Sequence, residues 1–164
     1  MPSSGSISGK SLTGGLFIMK DLSLVQINKA SSFADYLYLR RLRNLNCHNL
    51  TNDNSEITLL RQFKFYLNRP PNISIYLVRL SGKRVGYGLI NQVDGNNFVT
   101  EVIEEEYRNL GLATRLILFL TAEFGSLRAV ILSSNHTSIQ FHRKNNFFLI
   151  ENDGQFTHME LSSR

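Results

Sequence analysis

The chain has 164 residues, 42% of them hydrophobic and 19% charged, a balance that suits one ordinary globular domain with a single core. No apolar run reaches the roughly 20 residues of a membrane-crossing helix, and a lone cysteine, Cys47, excludes an internal disulfide framework and points to a reducing, cytoplasmic setting. The net charge of +5 is uneven, with 12 Lys/Arg against 5 Asp/Glu in residues 1 to 100 and 6 against 8 beyond; it reads as solvated surface or as attraction of a polyanionic cofactor, and nucleic acid is disfavoured because the basic residues are not organised with interleaved aromatics as a dedicated strand-binding groove would be.

Residues 1 to 18 are Ser- and Gly-rich, show no helix or strand period and read as a flexible arm; residues 19 to 164 form the single domain. Ser8-Gly9-Lys10-Ser11 echoes the end of a Walker A loop, but its first glycine would fall on Ser4 and no strand precedes it. Leu22 to Ile27 alternates as a first strand. Ser31 or Ser32 can cap a helix that runs to about Leu45. Asn44 to Asn54 is polar turn chemistry. A second helix begins near Ser55-Glu56 and is stopped by Arg69-Pro70-Pro71-Asn72.

Three strands follow: Ile73 to Leu80, Val85 to Asn91, and Phe98 to Glu104. Ser81-Gly82-Lys83 separates the first two, and the Asp94-Gly95 hairpin signal the last two. Gly86-Tyr87-Gly88 lies inside a strand and marks close backbone approach, not a dinucleotide fingerprint. A helix from about Leu112 to Phe124 ends at Gly125. Ala129 to Ser133 is a buried strand, His136 to Lys144 a short helix, and Phe147 to Ile150 with Gln155 to Leu161 a terminal strand pair. The order is β-α-α-β-β-β-α-β-α-β-β. The four histidines have no metal-site spacing, so no metal is expected.

One junction carries chemistry. Ile103 ends an apolar strand, and Arg108-Asn109-Leu110-Gly111-Leu112-Ala113 leads into a helix. A strand that turns through a glycine into a helix leaves unbonded N–H groups at the positive end of the helix dipole, a cradle for a pyrophosphate. This segment resembles the acetyl-CoA-binding signature of the GNAT superfamily of N-acetyltransferases: an aliphatic strand end, then Arg/Gln-x-x-Gly-x-Gly/Ala. Ile103, Arg108, Gly111 and Ala113 match; Asn109 replaces a usual glycine. Asn135 to Phe147 resembles a second family segment, Asn-x-x-Ala/Ser-x-x-x-Tyr-x-x-x-Gly-Phe. Asn135, Ser138 and Phe147 match, His142 stands for Tyr and Asn146 for Gly. Asn is the next best residue for a positive φ, so the turn is preserved.

The resemblance covers about residues 20 to 162. It implies an α/β (α+β) GNAT-like fold, with a mixed six- to seven-stranded sheet flanked by about four helices. It implies acetyl-CoA as acyl donor, held by Val102, Ile103, Arg108 and Asn109, by Leu110, Gly111, Leu112, Ala113 and Thr114, and by Asn135 and Ser138. An Ile103 backbone N–H would serve the oxyanion. Asn135 would bond the pantetheine arm or tie backbone.

Acyl transfer to an amine needs a base, an oxyanion donor and a proton for the leaving thiolate. Glu101 is the candidate base, two residues before Ile103 and so on the same face of the strand; burial beside a cleft would raise its pKa. His142, at the family's tyrosine position, is the candidate acid, because an imidazole titrates near neutrality. Glu104, Glu105 and Glu106 are read as solvated. Arg43, Asn44 and Tyr66 are candidate acceptor contacts. The expected activity is transfer of acetyl to a primary amine of a small molecule, such as an amino sugar. A protein N-acetyltransferase and a non-catalytic acyl-CoA-binding domain are the alternatives. Neither nucleic acid nor membrane is an expected partner, and a homodimer is left open by the resemblance.

Overall fold

A computed structural model describes residues 22–50 and 55–162. The expected arm, residues 1 to 18, lies outside them, as does the 51–54 stretch of the polar turn. Among the described residues a seven-stranded sheet carries four α-helices. The elements are β1 Val25–Lys29, α1 Phe33–Leu45, α2 Leu59–Leu67, β2 Ile73–Leu80, β3 Lys83–Val93, β4 Asn96–Ile103, α3 Leu112–Phe124, β5 Leu127–Leu132, α4 His136–Lys144, β6 Phe148–Asn152 and β7 Phe156–Leu161. No described helix is long and apolar enough to cross a membrane.

The strands lie in the order β1-β2-β3-β4-β5-β7-β6. Every neighbouring pair is antiparallel except β4 and β5, which are parallel and meet only at Phe98 and Arg128. Beyond that point the two strands separate, and the opening positions the site.

Local chemistry explains most boundaries. Ser32 caps α1 in a reciprocal capping box with Asp35. Asp94 (φ 49°) and Gly95 (φ 75°) make the tight turn between β3 and β4 that the Asp-Gly pair signals. Asn146, at φ 65°, takes the left-handed conformation for which it was singled out. The second helix starts later than its sequence suggests, with Thr58 as cap. The Asn44 side-chain amide bonds both the N–H and the carbonyl of Ile57, and Arg40 Nε donates to the same carbonyl, so the chain is held out of the helix there. Residues 22–24 form a 3-10 turn rather than the start of β1. β5 begins two residues early, at the fully buried Leu127.

Two cores face opposite sides of the sheet. The larger joins Leu112, Leu116, Ile117 and Leu120 of α3, with Ile139 of α4, to Val99, Ile103, Leu127 and Met159. The smaller joins Tyr36, Leu39 and Leu42 of α1 to Leu77, Tyr87 and Val102. Alternation along β4 is what divides Ile103 from Val102.

Candidate active site

Where β4 and β5 part, a cleft of about 660 Å³ opens. Its walls are β4 from Val99 to Ile103, the segment from Tyr107 into the first turn of α3, Ala129 to Ile131 of β5, and one face of α4. Volumes of this size hold extended small ligands.

Gly111 opens α3 at φ 76°, and no side chain caps the helix there. A Cβ built on Gly111 would meet nothing within 4 Å, so the space beside it belongs to the cleft. The result is an uncapped, positively poled helix start that faces a cavity, and this fits a phosphate group. Asn109 also takes the left-handed conformation, at φ 62°. Val102, Ile103, Arg108, Asn109, Gly111 and Leu112 all line the cleft, together with Ala113, Thr114, Asn135 and Ser138. Leu110 does not; it packs against the larger core.

The Arg108 guanidinium turns back on its own chain: Nε donates to the Ile103 carbonyl at 3.1 Å and Nη2 to Asn46 Oδ1 at 3.1 Å. It fixes the loop between β4 and α3 and ties it to the end of α1. Asn135 caps α4 by accepting from the Ser138 N–H at 3.1 Å. Glu104 departs from the solvated reading: only 13% of its side chain is exposed, and it pairs with Arg41 at 2.5 Å. Glu106 pairs with Lys83 at the surface.

Glu101 stands on β4 opposite Gly88 of β3. A Cβ on Gly88 would press on Leu116 and Leu120 at 3.0 to 3.1 Å, so the glycine lets α3 close over the sheet. The Glu101 carboxyl is then largely enclosed, and burial pushes its pKa up against the opposing pull of His142. His142 is 2% exposed. Its Nε2 lies 3.6 Å from Glu101 Oε1, and its Nδ1 is 2.9 Å from the Ser138 carbonyl oxygen. The fold thus brings the expected base and acid together as neighbours.

Arg43, Asn44 and Tyr66 do not line the cleft. Arg43 is buried and donates to the Ser55 carbonyl and, at 3.4 Å, to Asn44 Oδ1. Asn44 holds Ile57, and Tyr66 packs on Phe33 and Tyr36. Among the described residues no group of three His, Cys, Asp or Glu side chains stands in metal-holding geometry.

Several lining residues escaped the sequence reading. Asn46, Asn49 and Leu50 come from the turn after α1, and no local signal marks them. Thr137, Gln140 and Lys144 repeat at helical spacing on the cleft face of α4, a signal readable once Asn135 and Ser138 are placed on that helix.

The model of the acetyltransferase (GNAT) family matches residues 39–147, well over half of the chain. Among curated proteins no sequence matches. Solved structures share the fold at low identity. The Vibrio cholerae spermidine N-acetyltransferase, in complex with CoA and spermine, is 11% identical with a TM-score of 0.72, over 86% of this chain and 96% of that one. The Campylobacter jejuni N-acetyltransferase PseH is 14% identical with a TM-score of 0.66, over 86% and 99%. The Brucella melitensis ribosomal-protein-alanine N-acetyltransferase is 19% identical with a TM-score of 0.68, over 84% and 99%.

Proposed function

The chain belongs to the GNAT family of acetyltransferases, and from that premise we propose that it moves an acetyl group from acetyl-CoA to a primary amine of a small molecule, in the cytoplasm. The observation that carries the reading is the cleft itself, with an uncapped helix start at one end and an enclosed carboxyl on its wall.

Acetyl-CoA supplies an activated thioester. The backbone N–H groups of the first turn of α3, from Gly111 to Thr114, hold its pyrophosphate. The edge that β4 leaves unpaired on its β5 side, about Val102 and Ile103, takes the pantetheine arm and offers a donor to the oxyanion. Asn135 and Ser138 shape the wall beside that arm. Glu101 removes the proton from the acceptor ammonium. An amino sugar is the acceptor class to test first; the structural likeness to a spermidine enzyme makes polyamines the second.

A protein acceptor is the second reading. Leu59, Leu60, Phe63 and Leu67 expose an apolar stripe on α2, which suits a peptide better than a sugar. A third of the similar structures cited is a protein N-acetyltransferase.

Calorimetry with acetyl-CoA, followed by an acceptor screen on the purified chain, tests the proposal. Saturable binding and turnover of a small amine are expected. Gly111→Asp puts a carboxylate and a strained side chain into the cradle and should abolish binding. Unchanged affinity in that variant would remove the cradle assignment. Turnover of peptides alone would transfer the conclusion to the second reading.

A further inference from the structure

His142 has one atom left to titrate. A carbonyl oxygen can only accept, so the Nδ1 that faces the Ser138 carbonyl at 2.9 Å carries a proton in either charge state of the ring. Gain and loss of a proton therefore fall to Nε2. That atom is buried, has no hydrogen-bond partner among the described residues, and points at Glu101 Oε1 from 3.6 Å. Phe147 and Phe141 stand edge-on to the ring at 4.7 and 5.2 Å and fence its rotation. With neither group protonated, two lone pairs face each other away from water. With both protonated, two protons do. A single proton between Oε1 and Nε2 is the state this geometry suits.

We infer that His142 is a positioning residue that acts through Glu101: Nε2 and Oε1 share the proton given up by the acceptor amine, so the base is the pair and not the carboxylate alone. The inference rests on the acetyl-transfer reading above. It gives His142 a different duty from the one expected from its place in the chain, which was to protonate the leaving sulfur.

The step balances without another reactant. The acceptor ammonium gives one proton to the unprotonated pair. The freed nitrogen lone pair forms the C–N bond to the thioester carbon, and the C–S electrons leave with sulfur. The second N–H proton, released as the amide forms, ends on that sulfur as a thiol. The proton held by the pair then passes to solvent. A separation of 3.6 Å is longer than a hydrogen bond, and such contacts tighten when substrates exclude water.

Other titratable and charged groups stand near the pair. Tyr87 of β3 senses both Glu101 and Arg43 of α1, and Arg108 and Lys144 sit on the cleft wall. The two variants below alter none of these, so their field is common to each comparison.

The test has two arms. His142→Asn keeps an amide that can donate to the Ser138 carbonyl and removes Nε2. Its kcat/KM profile should lose activity at a lower pH than the wild type, because two sites that share a first proton bind it more tightly than the carboxyl does by itself. Acetyl-CoA affinity should be unchanged. A packing role would lower activity evenly at every pH, and an unmoved acid limb overturns the inference. The second arm needs no turnover. Nitrogen-15 NMR follows the His142 imidazole through pH in the wild type and in Glu101→Gln; where a proton is shared, the two titrations differ. Identical midpoints in an enzyme that turns over overturn this inference alone. Coupled midpoints with no turnover on any acceptor overturn the transfer reading, and the catalytic duty of the pair with it.

Discussion

Asp35 shows how much one buried side chain organises. It accepts from the N–H groups of Ser31 and Ser32 at 3.2 and 3.1 Å, and from Arg79 and Arg84 at 3.0 and 2.8 Å. It therefore caps α1 and pins that helix to β2 and β3. Burial alone raises its carboxyl, but the Ser32 N–H, Arg84 and the Ser31 N–H together outweigh this and hold it at about 2, below the ordinary 3.8. A depressed carboxyl contributes stability above the unfolded value and loses it as pH falls through the folded one. Stability should therefore decline between pH 3.8 and about 2 in the wild type. Asp35→Asn should cost about 1.5–3 kcal/mol near neutrality and show a flatter acid limb in denaturant titrations. Glu101 has the opposite sign. Its folded value is raised, so the group costs stability as pH rises from 4.5 through that value. Glu101→Gln should lower turnover by roughly 10²–10⁴-fold, while the Tm at and above neutral pH holds or rises. A matching loss of Tm would remove Glu101 from the base role.

At the scale of elements, the cleft exists because β4 and β5 share only one paired position, and because β3 lets its neighbours come close. A Cβ on Gly86 would lie 2.5 Å from Ile103 Cδ1 and 2.7 Å from the Val102 carbonyl oxygen. The second contact is backbone and cannot yield by a rotamer change. Gly86→Ala should therefore cost about 1–3 kcal/mol and displace the end of β4 that lines the cleft. Acetyl-CoA affinity should fall with it, measured by calorimetry on the folded variant. Gly86-Tyr87-Gly88 was legible as a site of close approach. That the elements approaching it are β4 and α3 was not, because both contacts lie far along the chain.

For the whole molecule, ligand binding is coupled to stability across both cores, since the cleft is walled by five separate parts of the chain. Acetyl-CoA at 100 times its dissociation constant should stabilise the fold by about 2.7 kcal/mol. Thermal melts should then rise by roughly 5–11 °C for a domain of this size. No rise in a folded sample, with Gly111 intact, would count against the cofactor assignment.

Sequence alone determined the strand and helix order, the Asp94-Gly95 turn, the positive φ at Asn146 and the glycine entry to α3. Each rests on interactions within a few residues, or on periodicities of 2 and 3.6 that need no partner. The family motif marked the candidate cradle because it too is a contiguous run. Tertiary structure decided the rest. The start of α2 is set by Asn44 and Arg40, reaching 13 and 17 residues along the chain. Arg108 is held on the cleft wall by Asn46, 62 residues off. Glu101 and His142, on separate elements and each a surface residue by composition, become a buried pair only because β4 and β5 part and α4 packs beside the opening. Pair chemistry of that kind depends on distance and desolvation, and a linear pattern carries neither.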